Sequence, residues 1–261
     1  MKVGLIGRGF VGDALYRSFC NKGKKVLSYD KYKNIGTFES VLASDIIFLC
    51  LPTPFVEGVG FDKSSIETTC DKLAKNKFDG LVVIKSTIEP GTTRYIFNKY
   101  NINVAHNPEF LTARTSYYDF DNQSHIVLGK VSDSEEFSNL IVLYSSLFKD
   151  SKISICSSEE SESMKLFSNC FYAVKVQFFN EIYLLCNKID IEYNRVIDLI
   201  IKNGWMSEMH TIVPGPDGEL SYGGKCFPKD TMALEAFMSV GGTSHEVLSA
   251  AIRERNRMRD D

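Results

Sequence analysis

Lys2 to Ile6 is an apolar run with the character of a buried strand. It leads at once into Gly7-Arg8-Gly9-Phe10-Val11-Gly12 and then into a helix-spaced segment from Val11 to Asn21. A strand, a glycine turn and a helix in that order leave few folds open. Gly7 permits the tight turn, Gly9 lets backbone approach a pyrophosphate, and Gly12 lets helix pack closely on strand while the helix N-terminus faces the anion. Phe10 and Val11 belong to the same turn and are candidate cofactor contacts. Three glycines alone are a weak signal, but a second apolar run, Val26 to Tyr29, ends in Asp30, eighteen positions after Gly12. A carboxylate there accepts hydrogen bonds from ribose hydroxyls and repels a 2′-phosphate, so NAD is preferred over NADP. Lys31 and Lys33 soften that preference, and the plainer reading of Asp30 is a residue that ends a strand.

Strand and helix continue to alternate for about half the chain. Asp45 to Leu51 and Leu81 to Lys85 are apolar runs suited to a parallel sheet covered on both faces, and strands are expected near 102–105, 125–128 and 152–155. Ligands of such sheets bind beyond the carboxyl ends of the strands. Pro52-Thr53-Pro54, Ser86-Thr87 and Asn107-Pro108-Glu109 therefore fall on the working edge. Thr53 and Thr87 are candidate contacts to cofactor or substrate; for Thr53 a role in loop structure is equally good. From Glu159 the spacing turns helical, with Ser157 or Ser158 as cap and a spine helix to about Asn187. Lys165 and Asn169 lie four positions apart, so they share a helix face and could converge on one ligand, although in isolation they read as surface polar groups. Further helices are expected over 193–202, 230–237 and 244–257. The expected architecture is α/β: an N-terminal Rossmann-like, doubly wound parallel sheet over 1–156, followed by an all-helical domain over 157–261.

Composition narrows the function classes. A formal charge of −3 argues against a nucleic-acid binder, and the basic run Arg253 to Arg259 is interrupted by Glu254 and Asn256, as in the solvated end of a helix. No apolar stretch is long enough to cross a bilayer, and no signal peptide is expected before the first strand. The seven cysteines are scattered without a Cys-x-x-Cys pair, and the four histidines are too dispersed for a metal cluster. The expectation is a cytoplasmic protein with reduced thiols, no metal, no membrane and no nucleic acid.

Gly223-Gly224-Lys225-Cys226-Phe227-Pro228-Lys229-Asp230 places a thiol, ammonium groups and a carboxylate in one loop-to-helix turn. Two glycines permit backbone that a Cβ would forbid, and Pro228 suits a first helical turn. Lys225 and Lys229 favour the thiolate of a nucleophilic Cys226. Standing alone, Cys226 would read as a structural cysteine.

Taken together, these residues resemble the nucleotide-sugar 6-dehydrogenases typified by UDP-glucose and GDP-mannose dehydrogenases. The matching motifs are Gly7-x-Gly9-x-x-Gly12, Leu51-Pro52-Thr53-Pro54, Ser86-Thr87 before Pro90-Gly91-Thr92-Thr93, Asn107-Pro108-Glu109-Phe110-Leu111, Lys165-Leu166-Phe167-Ser168-Asn169, Phe179-Asn180-Glu181 and Gly223 to Asp230. The resemblance implies NAD-dependent oxidation of a sugar C6 alcohol to a carboxylate, with UDP-glucose as first substrate. Cys226 would capture the aldehyde as a thiohemiacetal that is oxidised to a thioester. It further implies that Lys165 stabilises oxyanions, that Asn169 and Asp230 handle water, and that Glu109 and Thr87 lie near the reacting carbon. Lys229 would reach the cofactor or its water network, with Phe110, Leu111, Tyr222, Gly223 and Gly224 on the substrate side. A homodimer through the helical domain is expected, because the final helix, with Val247, Leu248, Ala251 and Ile252 apolar, would lose the cover of the family's third domain; in a monomer those side chains would instead pack within the helical domain.

The chain departs from that family in three places. The family's third, nucleotide-holding domain is expected to be absent, Ala113 stands where a second glutamate is common, and Trp205 to Pro216 offers His210 in place of the usual arginine pattern. Two other readings stay open. One is a β-hydroxyacid-type dehydrogenase, which performs a single hydride transfer from a Lys-x-x-x-Asn helix and needs no cysteine. The other is a non-catalytic or incomplete nucleotide-sugar binder.

Overall fold

In the computed structural model, which describes residues 1–260, alternation begins with β1 (Val3–Ile6), α1 (Phe10–Asn21), β2 (Val26–Tyr29), α2 (Phe38–Val41) and β3 (Ile46–Leu49). A short ribbon, β4 (Phe55–Val56) with β5 (Gly60–Phe61), precedes α3 (Ser64–Lys75), β6 (Leu81–Ile84), α4 (Thr92–Tyr100) and β7 (Val104–His106). Then come α5 (Ser116–Asp121), β8 (His125–Lys130), α6 (Glu135–Leu147) and β9 (Lys152–Ser157), and after them only helices: α7 (Ser158–Lys188), α8 (Tyr193–Lys202), α9 (Phe227–Val240) and α10 (Glu246–Met258). The chain divides into two compact units, Met1–Pro54 with Phe61–Lys165, and Phe55–Gly60 with Leu166–Asp261. Asp261, the last residue of the helical domain expected over 157–261, lies outside the described residues.

The first unit is built on a sheet with strand order β2-β1-β3-β6-β7-β8-β9. Strand side chains point alternately to the two faces, and here both alternations are apolar, so both faces must be covered. Ile46, Phe48, Leu81 and Val83 pack with Leu15 and Phe19 of α1, Phe120 of α5 and Tyr144 of α6. Ile47, Leu49, Val82 and Ile84 pack on the other side with Val41, Ile66, Leu73 and Ile96 from α2, α3 and α4. Each such fully buried aliphatic or aromatic side chain contributes about 1.5–3 kcal/mol.

The sheet departs from an all-parallel expectation at one pair, since β7 and β8 run antiparallel with Ala105 opposite Lys130 and His106 opposite Gly129. The connection explains this. At six residues α5 is too short to carry the chain back across the sheet, so β8 starts at the edge where β7 stops. The parallel strands β1, β3, β6 and β7 thus deliver the glycine turn, Leu51–Pro54, Ser86–Thr87 and Asn107–Glu109 to one edge.

Helix α7 opens with a capping box: the Ser157 hydroxyl accepts from the Glu160 amide at 3.2 Å, and the Glu160 carboxylate accepts from the Ser157 amide at 2.8 Å. Ser157, not Ser158, is therefore the cap. The second unit has its own small core of Phe179, Cys186, Tyr193, Ile197 and Val213. Among the described residues no helix is long and apolar enough to cross a membrane.

Candidate active-site residues

At the glycine turn, each glycine has a separate reason to lack a side chain. Gly7 has φ +93°, and a Cβ on it would meet the Cys50 carbonyl oxygen at 2.3 Å; a Cβ on Gly12 would lie 1.9 Å from the Gly7 oxygen. Gly9 faces open space, with nothing within 4 Å of its would-be Cβ, and it caps α1 without any side-chain acceptor. An uncapped helix N-terminus reached over a bare glycine is a site for an anion. Asp30 lies beside it: its carboxylate accepts from the amides of Arg8 at 2.7 Å and of Tyr32 and Lys33 at 2.9 Å. Partial burial pushes the Asp30 pKa up, but those three amides and the Lys33 charge outweigh it and hold the group below its ordinary value. The Arg8 guanidinium is turned to Asp13 at 2.6 Å and lies 3.6 Å from the Tyr16 ring centre.

Along the same edge, two hydroxyls tie neighbouring loops together. Ser86 Oγ donates to the Leu51 carbonyl at 2.6 Å and accepts from its amide at 3.1 Å, and buried Thr53 donates to the Thr87 carbonyl at 2.8 Å. Thr53 thus performs the loop role that stood beside its candidate ligand role. Glu109 accepts from the Leu111 amide at 2.7 Å with one oxygen and meets Lys165 Nζ at 3.3 Å with the other. The ammonium also lies 5.1 Å from the Phe110 ring centre.

Lys165 is placed by the first turns of α7, which are bolted into the first unit. Ser161 bonds the buried His106 ring at 2.8 Å, Arg94 pairs with Glu159, and Glu162 accepts from the amides of Gly91 and Thr93, at 2.6 and 2.7 Å, at the start of α4. Burial pushes the Glu162 carboxyl up to about 7 in spite of those bonds.

In the second unit, Cys226 is the N-cap of α9 with Pro228 in the first turn, so the helix begins three residues before the expected Asp230. A helix N-terminus favours an anion such as a thiolate. Asp230 is wholly buried one turn on; its amide donates to the Cys226 carbonyl at 3.0 Å, and its carboxylate accepts from Asn169 Nδ2 at 2.6 Å and pairs with Lys229. Gly224 has φ +77°, and a Cβ on Gly223 would strike the Arg259 guanidinium at 2.4 Å. The basic run 253–259 is therefore more than a solvated helix end. Arg255, 7% exposed, donates to the carbonyl of buried Tyr222 at 3.1 Å, and Arg259 pairs with Asp217 at 3.0 Å. Both clamp the strand of loop that leads into Cys226. Sequence reasoning missed them because interleaved charges on a helix resemble a solvated face.

Residues 31–148 match the NAD binding domain of the UDP-glucose/GDP-mannose dehydrogenase family, and residues 159–257 match its central domain. The chain belongs to the UDP-glucose/GDP-mannose dehydrogenase family. It is 31% identical over 250 residues to a UDP-glucose 6-dehydrogenase of Rickettsia prowazekii, a match covering 90% of this chain and 55% of that one, so the chain spans about half the length of such relatives. Among solved structures, a UDP-glucose dehydrogenase from Pyrobaculum islandicum superposes with a TM-score of 0.86 at 26% identity, covering 98% of this chain and 68% of that one. The 3-hydroxyisobutyrate dehydrogenase of Mycobacterium tuberculosis shares the fold, with a TM-score of 0.77 at 16% identity over 98% of this chain and 92% of that one.

The residues of this UDP-glucose/GDP-mannose dehydrogenase family member fit NAD. The turn is open over Gly9, the helix end is uncapped, and the Asp30 carboxylate is fixed at the turn by the Arg8 amide. In the first unit the structure brings Glu109, Phe110 and Lys165 into contact; in the second it brings Asn169, Lys229 and Asp230 together, one turn from Cys226. Lys225 is exposed. A further residue went unread: Lys85, 2% exposed, bonds the Asn107 and Pro108 carbonyl groups beneath Glu109.

Proposed function

We propose that the protein oxidises the C6 primary alcohol of a nucleotide sugar to a carboxylate, with Cys226 as covalent nucleophile and UDP-glucose as first candidate substrate. The observation that carries this reading is the thiol at the N-terminus of α9, one turn from a buried carboxylate that Asn169 and Lys229 both hold. NAD, held by the Gly7–Gly12 turn and Asp30, supplies the two-electron acceptor for each of the two oxidations. The Cys226 thiolate adds to the C6 aldehyde, forming a C–S bond and an alkoxide whose charge the Lys165 ammonium stabilises. Loss of the C6 hydrogen with its electron pair leaves a thioester. Water, oriented by Asn169 and Asp230, attacks that carbonyl; the C–S bond breaks, the acid leaves and the thiol is restored. Glu109 and Thr87 lie on the sheet edge where the reacting carbon is to be presented. A one-step hydroxyacid oxidation from the Lys165/Asn169 face would need no thiol, and Cys226 is the residue that separates the two.

The test is incubation with excess NAD and a panel of UDP- and GDP-sugars, counting NADH per sugar consumed and weighing the product. Two NADH per carboxylate, abolished in Cys226→Ala, is the expected result. One NADH with an aldehyde or ketone product, retained in Cys226→Ala, would replace it with the one-step reaction. NAD binding without turnover on any sugar would indicate a binder or an enzyme that needs another polypeptide.

A further inference from the structure

Lys85 stands just past the end of β6 with its side chain wholly inside the first unit. Its ammonium donates to the Asn107 carbonyl at 2.9 Å, to Asn107 Oδ1 at 2.8 Å and, more weakly, toward the Pro108 carbonyl at 3.4 Å. Asn107 is held twice more, by the Tyr144 hydroxyl on its Oδ1 and by its own Nδ2 donating to the Val127 carbonyl at 2.8 Å. This cage closes the junction where β7 gives way to antiparallel β8, and Pro108 and Glu109 follow from it directly. The cage is more than packing. Burying an ammonium among carbonyl dipoles carries a desolvation cost that a well-packed apolar side chain would avoid.

The groups that face Lys85 are Cys50, Glu109, Lys165, His106, Tyr144 and the Phe120 ring, whose centre is 5.6 Å away. Burial keeps three of them neutral: the Cys50 thiol is pushed up to about 12, the Tyr144 hydroxyl is pushed up well beyond its ordinary range, and His106 is pushed down to about 3. The other two titratable groups are Glu109 and Lys165, whose side chains meet at 3.3 Å. Burial also lowers the Lys85 pKa, to about 8, with Cys50 and Glu109 opposing and Lys165 adding to the fall.

We propose that Lys85 is a positioning residue for Glu109: its ammonium fixes the turn that presents the carboxylate to Lys165. The proposal rests on the assignment of Glu109 and Lys165 to the reaction. Three variants test it. Lys85→Met removes donor and charge, Lys85→Gln keeps a donor toward the carbonyls but no charge, and Lys85→Arg keeps the charge. In Met and Gln, kcat is expected to fall about 10- to 100-fold with the KM for NAD unchanged. Arg, which keeps a charged donor to the carbonyl groups, should recover most of the loss. Gln with the wild-type kcat would overturn the positioning role even if Met does not fold. Should the wild-type protein oxidise no sugar, the proposed function fails, and the ¹³C chemical shift of the Glu109 carboxyl, assigned with Glu109→Gln, decides the proposal alone. A resonance displaced in Lys85→Gln supports it, and an unmoved resonance overturns it.

Discussion

We propose that Asp30 does two jobs with one carboxylate. Three amides already bond it, and the ribose reading adds hydroxyl donors to its remaining lone pairs. Asp30→Ala should therefore weaken NAD binding by roughly 1.5–3 kcal/mol, the range for hydrogen bonds to a charged group. Calorimetry reads that loss, and the alkylation rate at Cys226, followed by mass spectrometry, should not change with it. The glycine turn at Gly7 to Gly12 and the helix start at Cys226 were legible as local structure because each sits in a short sequence pattern. Lys85, Arg255 and Arg259 were not, because their partners lie 22, 33 and 42 residues away. Nothing in the local sequence marks a lysine at a strand end as buried.

At the scale of elements, helix limits were legible wherever a cap was present, as the Ser157 and Glu160 box shows. The direction of β8 was not, since side-chain alternation is the same in either direction. The start of α7 is also where the fold stores a pH dependence. Glu162 holds its proton in the folded protein up to about pH 7, whereas an ordinary glutamate releases it near 4.5. A raised pKa means that the folded state binds the extra proton between those values, so this group's stabilisation is complete below the lower one and is lost as pH rises through the upper one. The loss amounts to roughly 3 kcal/mol. Melting of the wild-type protein should therefore fall by roughly 5–10 °C between pH 4.5 and 7.5, relative to Glu162→Gln, which carries no titrating group. Parallel melting curves for the two proteins across that window would remove Glu162 from the account.

On the scale of the whole molecule, the order of motifs along the chain placed it in its family. The expected dimer was argued from α10, where Leu248 and Ala251 are each 7% exposed and Val247 is 73% exposed. A longer apolar surface lies on α7: Phe167, Phe171, Phe178 and Leu185 are 49%, 63%, 54% and 49% exposed. Their spacings of four, seven and seven residues return to nearly the same angle on a helix, so they form one stripe along about 27 Å of it. A stripe of this kind is self-complementary, because a two-fold axis lays the same residues of a second copy against it. An aromatic stripe of that length left in water is unusual for a monomer. We propose a homodimer through α7. Light scattering at micromolar concentration should give twice the chain mass of 29.4 kDa, and Phe171→Glu with Phe178→Glu, which drive charge into the stripe, should return one chain mass with its helical circular dichroism intact. A wild-type protein that already scatters as one chain would leave the stripe to some other partner and remove the dimer.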